Sequence, residues 1–173
     1  MSGKLIVIEG ADGAGKATQT RMLTEQLQSE GMNVESFEFP NYEENFFGAY
    51  VKEWLDEVHG NFIDLDPRLS AILFAGDRYE SRDKVVSALE EGKHVILDRY
   101  VSANMLHQGA KIDDVQKRGA FLLWLERLEH EVFKLPKPDM VIYLDLPAEM
   151  RHALLTTDET KPKLGHTETD VLY

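Results

Sequence analysis

The chain has 173 residues, enough for one domain with a hydrophobic core, and its 31 acidic against 19 basic residues give a formal net charge of −12. This charge repels polyanions, so we expect no nucleic-acid partner. The absence of cysteine excludes disulfides and thiolate metal sites. Because the apolar runs are too short for a membrane-spanning helix or a signal peptide, we expect no membrane partner and a cytoplasmic location.

The first third of the chain alternates apolar runs with amphipathic segments. Residues 4–8 predict a buried parallel strand followed by a glycine-rich turn. The next segment predicts a helix that begins at Lys16 and stops at Gly31. Residues 33–39 then predict a second strand, and residues 45–58 predict a helix with one apolar stripe.

The remaining elements continue this alternation. A helix is predicted from Asp66, as N-cap, to about Glu91, and it contains a polar cluster. Residues 94–98 predict the third strand, residues 113–133 a long helix, and residues 140–146 the fourth strand, with Pro147 opening another helix. The order is βαβααβααβα, which counts one further helix between the third and fourth strands. With short strands that are apolar on both faces, this order predicts an α/β fold of three layers, α/β/α, around a parallel sheet.

The first glycine-rich turn, "EGADGAGKAT", matches most of the phosphate-binding pattern G-x-x-x-x-G-K-[ST]. Gly10, Gly15 and Lys16 fit the pattern, whereas Ala17 stands where a hydroxyl residue is expected. The turn lies between a predicted strand and a predicted helix, which is the context that the motif requires. This context and Lys16 disfavour the alternative, an ordinary glycine-rich turn.

The expected chemistry of this loop is the binding of phosphate groups. Backbone N–H groups and the helix N-terminus attract an anion, and Lys16 reaches the β and γ phosphates. Ala17 cannot bind magnesium, but Asp98, at the end of the third strand, is placed to hold it through water; the alternative for Asp98 is a cap or a structural ion pair. Thr18 either contacts a phosphate or faces the first helical turn.

Three further polar clusters are candidates for substrate selection. They are "EFPNY" after the second strand, "FAGDR" within a helix, and "DRYVSANMLHQG" after the third strand. Because the carboxyl ends of parallel strands share one edge of a sheet, we expect these clusters to line one cleft beside the phosphate loop.

The loop and the three clusters resemble the motifs of the thymidylate kinase family, in order and spacing, from Lys4 to about Tyr173. The resemblance implies a P-loop NTPase fold and phosphoryl transfer from ATP to dTMP, giving dTDP and ADP for dTTP synthesis. It also implies Mg²⁺ as cofactor, ATP and dTMP as small-molecule partners, and a homodimer formed through helices.

The resemblance implies roles for residues of the dTMP pocket. Phe74 resembles the aromatic residue that stacks on thymine, Arg78 the arginine that hydrogen-bonds the base, and Asn104 a residue that reads its edge. Pro40 and Tyr42 resemble the walls near the thymine methyl group and the sugar. An aromatic face suits a flat base, and a buried polar side chain penalises the wrong base.

Other roles concern the phosphates and the metal. Arg99 resembles the arginine that binds the dTMP phosphate, and Asp12 the acid that contacts the 3′-hydroxyl and, with Asp98, holds Mg²⁺ largely through water. His107 either touches the substrate or is a polar wall residue, and Gln108 completes the substrate-binding set. The expected catalytic residues are Lys16, Arg99, Asp12 and Asp98.

On the ATP side the family tolerates Ala17, since some members keep only the following Thr. The loop has Ala14 where some members carry arginine, and the expected lid, about residues 156–166, offers only two lysines. Arg151 is a further source of positive charge. The expected ATP-binding residues are Gly10, Ala11, Asp12, Gly13, Ala14, Gly15, Lys16, Ala17, Thr18 and Arg151.

We expect residues 1–173 to form a single kinase domain. A capping-box pattern at Thr167 starts a helix close to the end of the sequence, so we expect the C-terminal helix and last strand to be missing. Two other functions stay open: a kinase for another nucleoside monophosphate or a deoxynucleoside, and a nucleotide-binding regulator without turnover. Arg99 and "FPNY" favour a monophosphate.

Overall fold

The computed structural model of the chain describes residues 3–147 and Met150. Their centre is a four-stranded sheet in which all neighbouring strands are parallel, in the order β2-β3-β1-β4. This confirms the predicted α/β class and parallel sheet. The strands are β1 (Leu5–Gly10), β2 (Val34–Glu38), β3 (His94–Asp98) and β4 (Met140–Leu144).

Helices connect the strands in the predicted order. A 3₁₀ turn, Phe62–Asp64, precedes the longest helix. The helices are α1 (Lys16–Ser29), α2 (Phe46–Leu55), α3 (Pro67–Glu90), α4 (Val101–Ala110) and α5 (Val115–Glu126).

The predicted helix over residues 113–133 is wrong in one respect. Its α-helical part, α5, ends at Glu126, and Arg127–Val132 forms a π-helical segment. A continuous apolar period predicts a helix but does not reveal a local change in backbone hydrogen bonding, and such π segments often lie at functional sites. This one contains Glu129, a fully buried carboxylate.

The helix boundaries follow the local signals in the sequence. The side chain of Asp66 accepts hydrogen bonds from the backbone N–H groups of Arg68, at 2.9 Å, and Leu69, at 3.3 Å, so it is the N-cap of α3 as predicted. Gly31 and Gly92, just beyond α1 and α3, have φ angles of 84° and 82°, which favour glycine.

Apolar clusters on the two faces of the sheet produce the three predicted layers. On one face Val7 of β1 and Leu97 of β3 pack with Val85 of α3. On the other face Ile8 and Ile96 pack with side chains of α1. The edge strands differ from the prediction of strands that are apolar and buried on both faces. Ser36 and Glu38 of β2, and Met140, Val141 and Tyr143 of β4, are exposed.

Some expectations lie outside the described residues. They are the helix opened by Pro147, the lid at about 156–166, the capping box at Thr167 and the extent of the domain to Tyr173. Within residues 3–147 no helix is both long and apolar enough to span a membrane.

Replacing Asp66 by alanine should lower the free energy of unfolding by about 1 kcal/mol, because two N–H groups at the start of α3 lose their acceptor. Urea denaturation measures this change. Asp83→Ala is the matched control, since Asp83 lies inside α3 with an 85% exposed side chain and should shift stability by less than about 0.5 kcal/mol. An equal loss in both variants would contradict the capping role.

Candidate nucleotide-binding site

The glycine-rich loop between β1 and α1 presents backbone N–H groups at one point. Gly13 and Gly15 have φ angles of 78° and 84°, and no side chain caps the N-terminus of α1 in the described part of the chain. A Cβ on Gly10 would lie 2.9 Å from the carbonyl oxygen of Leu144 in β4, so this position also needs glycine for close packing. The loop is therefore built to receive an anion at the start of α1.

Lys16 lies folded over this loop. Its Nζ donates to the carbonyl oxygen of Ala11 at 2.9 Å and lies 3.6 Å from the carboxylate of Asp12. The side chain is 7% exposed, and burial together with the charge of Arg99 lowers the pKa of Lys16. A phosphate bound at the loop would replace the Ala11 carbonyl as the partner of this ammonium group.

Arg99 joins the same cluster from the end of β3. Its backbone has a φ of 65°, and its N–H donates to the carbonyl oxygen of Ile8 in β1 at 3.0 Å. The guanidinium forms an ion pair with Asp12 and lies 3.5 Å from Nε2 of His107. Burial, followed by the charge of Arg99, lowers the pKa of His107, which favours the neutral ring. The structure thus brings Asp12, Lys16, Arg99 and His107 together.

Asp98 ends β3 beside this cluster. It is 9% exposed, and its carboxylate accepts no hydrogen bond from any residue in the described ranges. Burial raises the pKa of Asp98, while the charges of Lys16 and Arg99 act in the opposite direction. The residue lines a groove of about 390 Å³ between α1 and β2, together with Ala17 and Glu38.

The side chains at this groove can be compared with the ligands that Mg²⁺ requires. The described residues contain no cluster of three or more His, Cys, Asp or Glu side chains that could hold a metal by themselves. Magnesium in phosphate sites keeps several waters and uses only one or two carboxylates. The unpaired oxygens of Asp98 fit that requirement, and the methyl group of Ala17 adds no ligand.

Glu9 positions the segment that carries Arg99. This buried carboxylate accepts hydrogen bonds from the backbone N–H groups of Tyr100 and Ala103 and from the hydroxyl of Ser102, at 3.0, 3.1 and 2.7 Å. It thereby satisfies donors at the start of α4. The sequence analysis missed Glu9, although an acidic residue at the end of an apolar strand was a usable signal.

A second polar cluster lies between α3, α4 and the π-helical segment. Arg78, only 3% exposed, donates through Nε and Nη2 to the two carboxylate oxygens of Glu129, both at 2.6 Å. Asn104 donates through Nδ2 to Glu129 at 2.9 Å and to the carbonyl oxygen of Ala71 at 3.0 Å. The sequence analysis missed Glu129, which stands four residues after the buried Leu125 on the same helix face.

Aromatic side chains lie beside this cluster. Phe74 of α3 packs edge-on against Phe62, with ring centroids 5.7 Å apart. Trp54 of α2 also contacts the ring of Phe62, and Nζ of Lys111 lies 4.6 Å from the centroid of that Phe62 ring. Phe74 was predicted from the sequence, whereas Phe62 was not, because its position in a 3₁₀ turn follows no helical period.

The other predicted pocket residues occupy the loop after β2 and the end of α4. Pro40 follows a cis peptide bond, and burial raises the pKa of Tyr42 to about 12. Asp77 holds this loop by accepting from the backbone N–H of Asn41 at 3.2 Å. Gln108 is buried, and its Oε1 accepts from the hydroxyl of Ser70 at 2.7 Å.

Among the predicted residues, Asp12, Lys16, Arg99 and His107 form one group, and Arg78 and Asn104 form a second one around Glu129. Helix α4 carries residues of both groups. Thr18 is exposed on α1, and both of its predicted alternatives stand. Arg151 lies outside the described residues. The roles of all these side chains in binding and catalysis remain predictions.

Comparison with known proteins identifies relatives. The family model described as thymidylate kinase matches residues 8–169. "Probable thymidylate kinase" of Pyrococcus abyssi (strain GE5 / Orsay) is 37% identical over 153 residues, 86% of this chain and 68% of that protein. "Thymidylate kinase" of Mycobacterium tuberculosis (strain ATCC 25618 / H37Rv) is 33% identical over 146 residues, 84% of this chain and 67% of that protein.

A solved structure supports the fold assignment. The thymidylate kinase of Candida albicans superimposes with a TM-score of 0.73, covering 99% of this chain and 75% of that one, at 24% identity. At that identity the similarity concerns the fold, whereas the family model and the relatives carry the assignment by sequence. The chain belongs to the thymidylate kinase family of nucleoside monophosphate kinases.

Proposed function

We propose that this protein transfers the γ-phosphoryl group of ATP to dTMP, giving ADP and dTDP, as a step of dTTP synthesis. The observation that carries the proposal is the convergence of Lys16, Asp12 and Arg99 beside the uncapped N-terminus of α1. Two phosphate groups that meet end to end repel each other, so the reaction needs positive charge between them. The cluster supplies two cations at that point.

The ATP half of the site uses the loop of residues 10–18. Its N–H groups would cradle the β-phosphate, and Lys16 would move from the Ala11 carbonyl to the β and γ phosphates. Because these contacts come mainly from the backbone, Ala17 does not impair phosphate binding. We keep Arg151 in the proposed set as a further source of charge.

The dTMP phosphate would bind Arg99. Its ion pair with Asp12 holds the guanidinium beside Lys16, and the half-buried His107 limits its movement on the other side. Asp12 would then contact the 3′-hydroxyl of the sugar. This arrangement aligns acceptor and donor without a covalent nucleophile.

The base would lie against Phe74, near Arg78 and Asn104. Both N–H groups of the Asn104 amide have acceptors, whereas its Oδ1 is buried without a hydrogen-bond partner among the described residues. Nη1 of Arg78 likewise has no partner within residues 3–147. The pair can therefore accept from N3–H and donate to O4 of thymine. Pro40, Tyr42 and Gln108 complete the proposed pocket.

Mg²⁺ would be held by Asp98 and, through water, by Asp12. When bound, the ion neutralises charge on the phosphate oxygens. The side chains then have separate tasks: Asp98 holds the ion, Lys16 orients the ATP phosphates and Arg99 orients the dTMP phosphate.

We also propose a cytoplasmic homodimer. Leu69, Ile72 and Tyr79 of α3 and Leu123 of α5 are between 37% and 70% exposed, although large apolar side chains favour burial. An interface through these helices would cover them.

The substrate assignment predicts that dTMP has the highest kcat/KM when ADP release is measured with dTMP, dUMP, CMP, AMP and thymidine. The phosphate-binding Arg99 favours a monophosphate, and the acceptor at Asn104 favours bases that carry N3–H. Contact of the 5-methyl group with the pocket wall at Pro40 would favour dTMP over dUMP. A preference for thymidine, or ATP binding without phosphorylation of any monophosphate, would overturn the proposal.

Lys16→Ala should lower kcat by roughly 10²–10³-fold, because a preorganised charge on the transferred group is lost. Steady-state kinetics measures this change, and Lys84→Ala is the control, since Lys84 is 60% exposed and pairs with Glu44. Similar activity of the two variants would show that Lys16 has no part in transfer.

Asp98→Asn should raise the Mg²⁺ concentration for half-maximal activity by roughly tenfold or more. Burial raises the pKa of Asp98, so acidification should protonate it at a higher pH than an exposed aspartate. Protonation should weaken Mg²⁺ binding and raise the Mg²⁺ concentration that the wild type needs. Titrations with Mg²⁺ at several pH values test both effects, with the exposed Asp113→Asn as control. An unchanged Mg²⁺ requirement in Asp98→Asn would contradict this assignment.

A further inference from the structure

We infer that Glu129 is a positioning residue that fixes which end of the Asn104 amide faces the base, and that it thereby makes the pocket select bases carrying an N3–H over cytosine. The inference rests on the proposed function, since it concerns the base of the acceptor nucleotide. Glu129 itself need not touch that base.

The carboxylate of Glu129 acts here as an acceptor. It is 0% exposed, and the guanidinium of Arg78 binds both of its oxygens at 2.6 Å. Both oxygens accept from N–H groups of a guanidinium, which has no acceptor atom of its own. Any group that faces Glu129 in this cluster must therefore be a donor.

This requirement determines the orientation of Asn104. Its Nδ2 donates to Glu129 at 2.9 Å and to the carbonyl of Ala71 at 3.0 Å. Turning the amide over would place Oδ1 against two acceptors and would lose two buried hydrogen bonds. The amide therefore presents Oδ1 away from Glu129, and this atom is buried without a partner in the described residues.

An unpartnered buried acceptor selects the ligand that donates to it. The N3–H of thymine or uracil can donate to Oδ1 of Asn104, whereas N3 of cytosine is itself an acceptor and would leave both atoms unpaired. The choice between these bases thus depends on the carboxylate of Glu129, which contacts Asn104 and acts on the ligand through it. The 5-methyl group of thymine is not part of this choice.

The backbone brings Glu129 to this point. Leu125 and Glu129 are both fully buried and lie four residues apart, so the inner face of α5 continues into the π-helical segment Arg127–Val132. The backbone carbonyl of Glu129 also accepts from the N–H of Leu135 at 3.0 Å. Because both its helical segment and its backbone carbonyl are held in place, the side chain of Glu129 is suited to orient Arg78 and Asn104.

The test replaces Glu129 by glutamine, which has nearly the same shape but only one acceptor oxygen. That oxygen should remain with Arg78, which leaves the new NH₂ group facing Asn104, so that only the carbonyl of Ala71 still favours the present amide orientation. The ratio of kcat/KM for dTMP to kcat/KM for dCMP should fall by roughly tenfold or more. The ratio for dTMP to dUMP should not change, because both bases carry N3–H.

These ratios do not depend on the fraction of active protein, so partial loss of folding does not affect them. Glu131→Gln is the matched control, since Glu131 lies in the same segment with a 71% exposed side chain. Glu129→Asp should keep the wild-type ratio, because aspartate is still only an acceptor. An equal loss for dTMP, dUMP and dCMP in Glu129→Gln would show a merely structural role and overturn the inference.

The wild-type protein offers a second measurement that needs no variant. In its complex with dTMP, the N3 imino proton should be protected from solvent exchange and visible by NMR. Rapid exchange of that proton would overturn the inference. Failure of the wild type to phosphorylate dTMP would instead refute the proposed function, so the two failures are distinct.

Discussion

The hydrogen bonds of Glu9 join the end of β1 to the segment that follows β3, and the candidate site depends on them. Three donors of residues 100–103 converge on this one buried carboxylate. Between the two elements lies Arg99, whose left-handed backbone turns its side chain toward Asp12 and Lys16. Without this connection, two parallel strands alone would not direct a cation at the phosphate loop.

The candidate site gathers positive charge within a chain whose net charge is −12. Each cation of the two clusters is held by an acid: Lys16 and Arg99 by Asp12, and Arg78 by Glu129. Buried or half-buried ion pairs of this kind contribute little to stability, since desolvation offsets their attraction. Their effect here is to fix the orientation of groups that meet a ligand.

Particular residues show why the fold was largely predictable from the sequence and the site only partly. Asp66 caps the start of α3 and Gly92 follows its end, and both effects involve only residues close by in the sequence. The boundaries of α3 could therefore be predicted directly. Arg78 and Glu129 are 51 residues apart in the chain, and no local period links them. Phe62 was missed because a residue in a 3₁₀ turn follows no helical period. The π-helical segment was missed because an apolar period does not reveal a local change in backbone hydrogen bonding.

The sequence by itself determined the order of elements, the parallel sheet and the phosphate loop, because these depend on apolar periodicity, glycine and short-range hydrogen bonds. Only the tertiary structure decided the partners of the buried polar groups. A carboxylate such as Glu9 or Glu129 can serve as cap, ion pair or surface residue, and the choice is made by packing of helices distant in sequence. The buried Oδ1 of Asn104, which has no hydrogen-bond partner in residues 3–147, is therefore a result of tertiary packing.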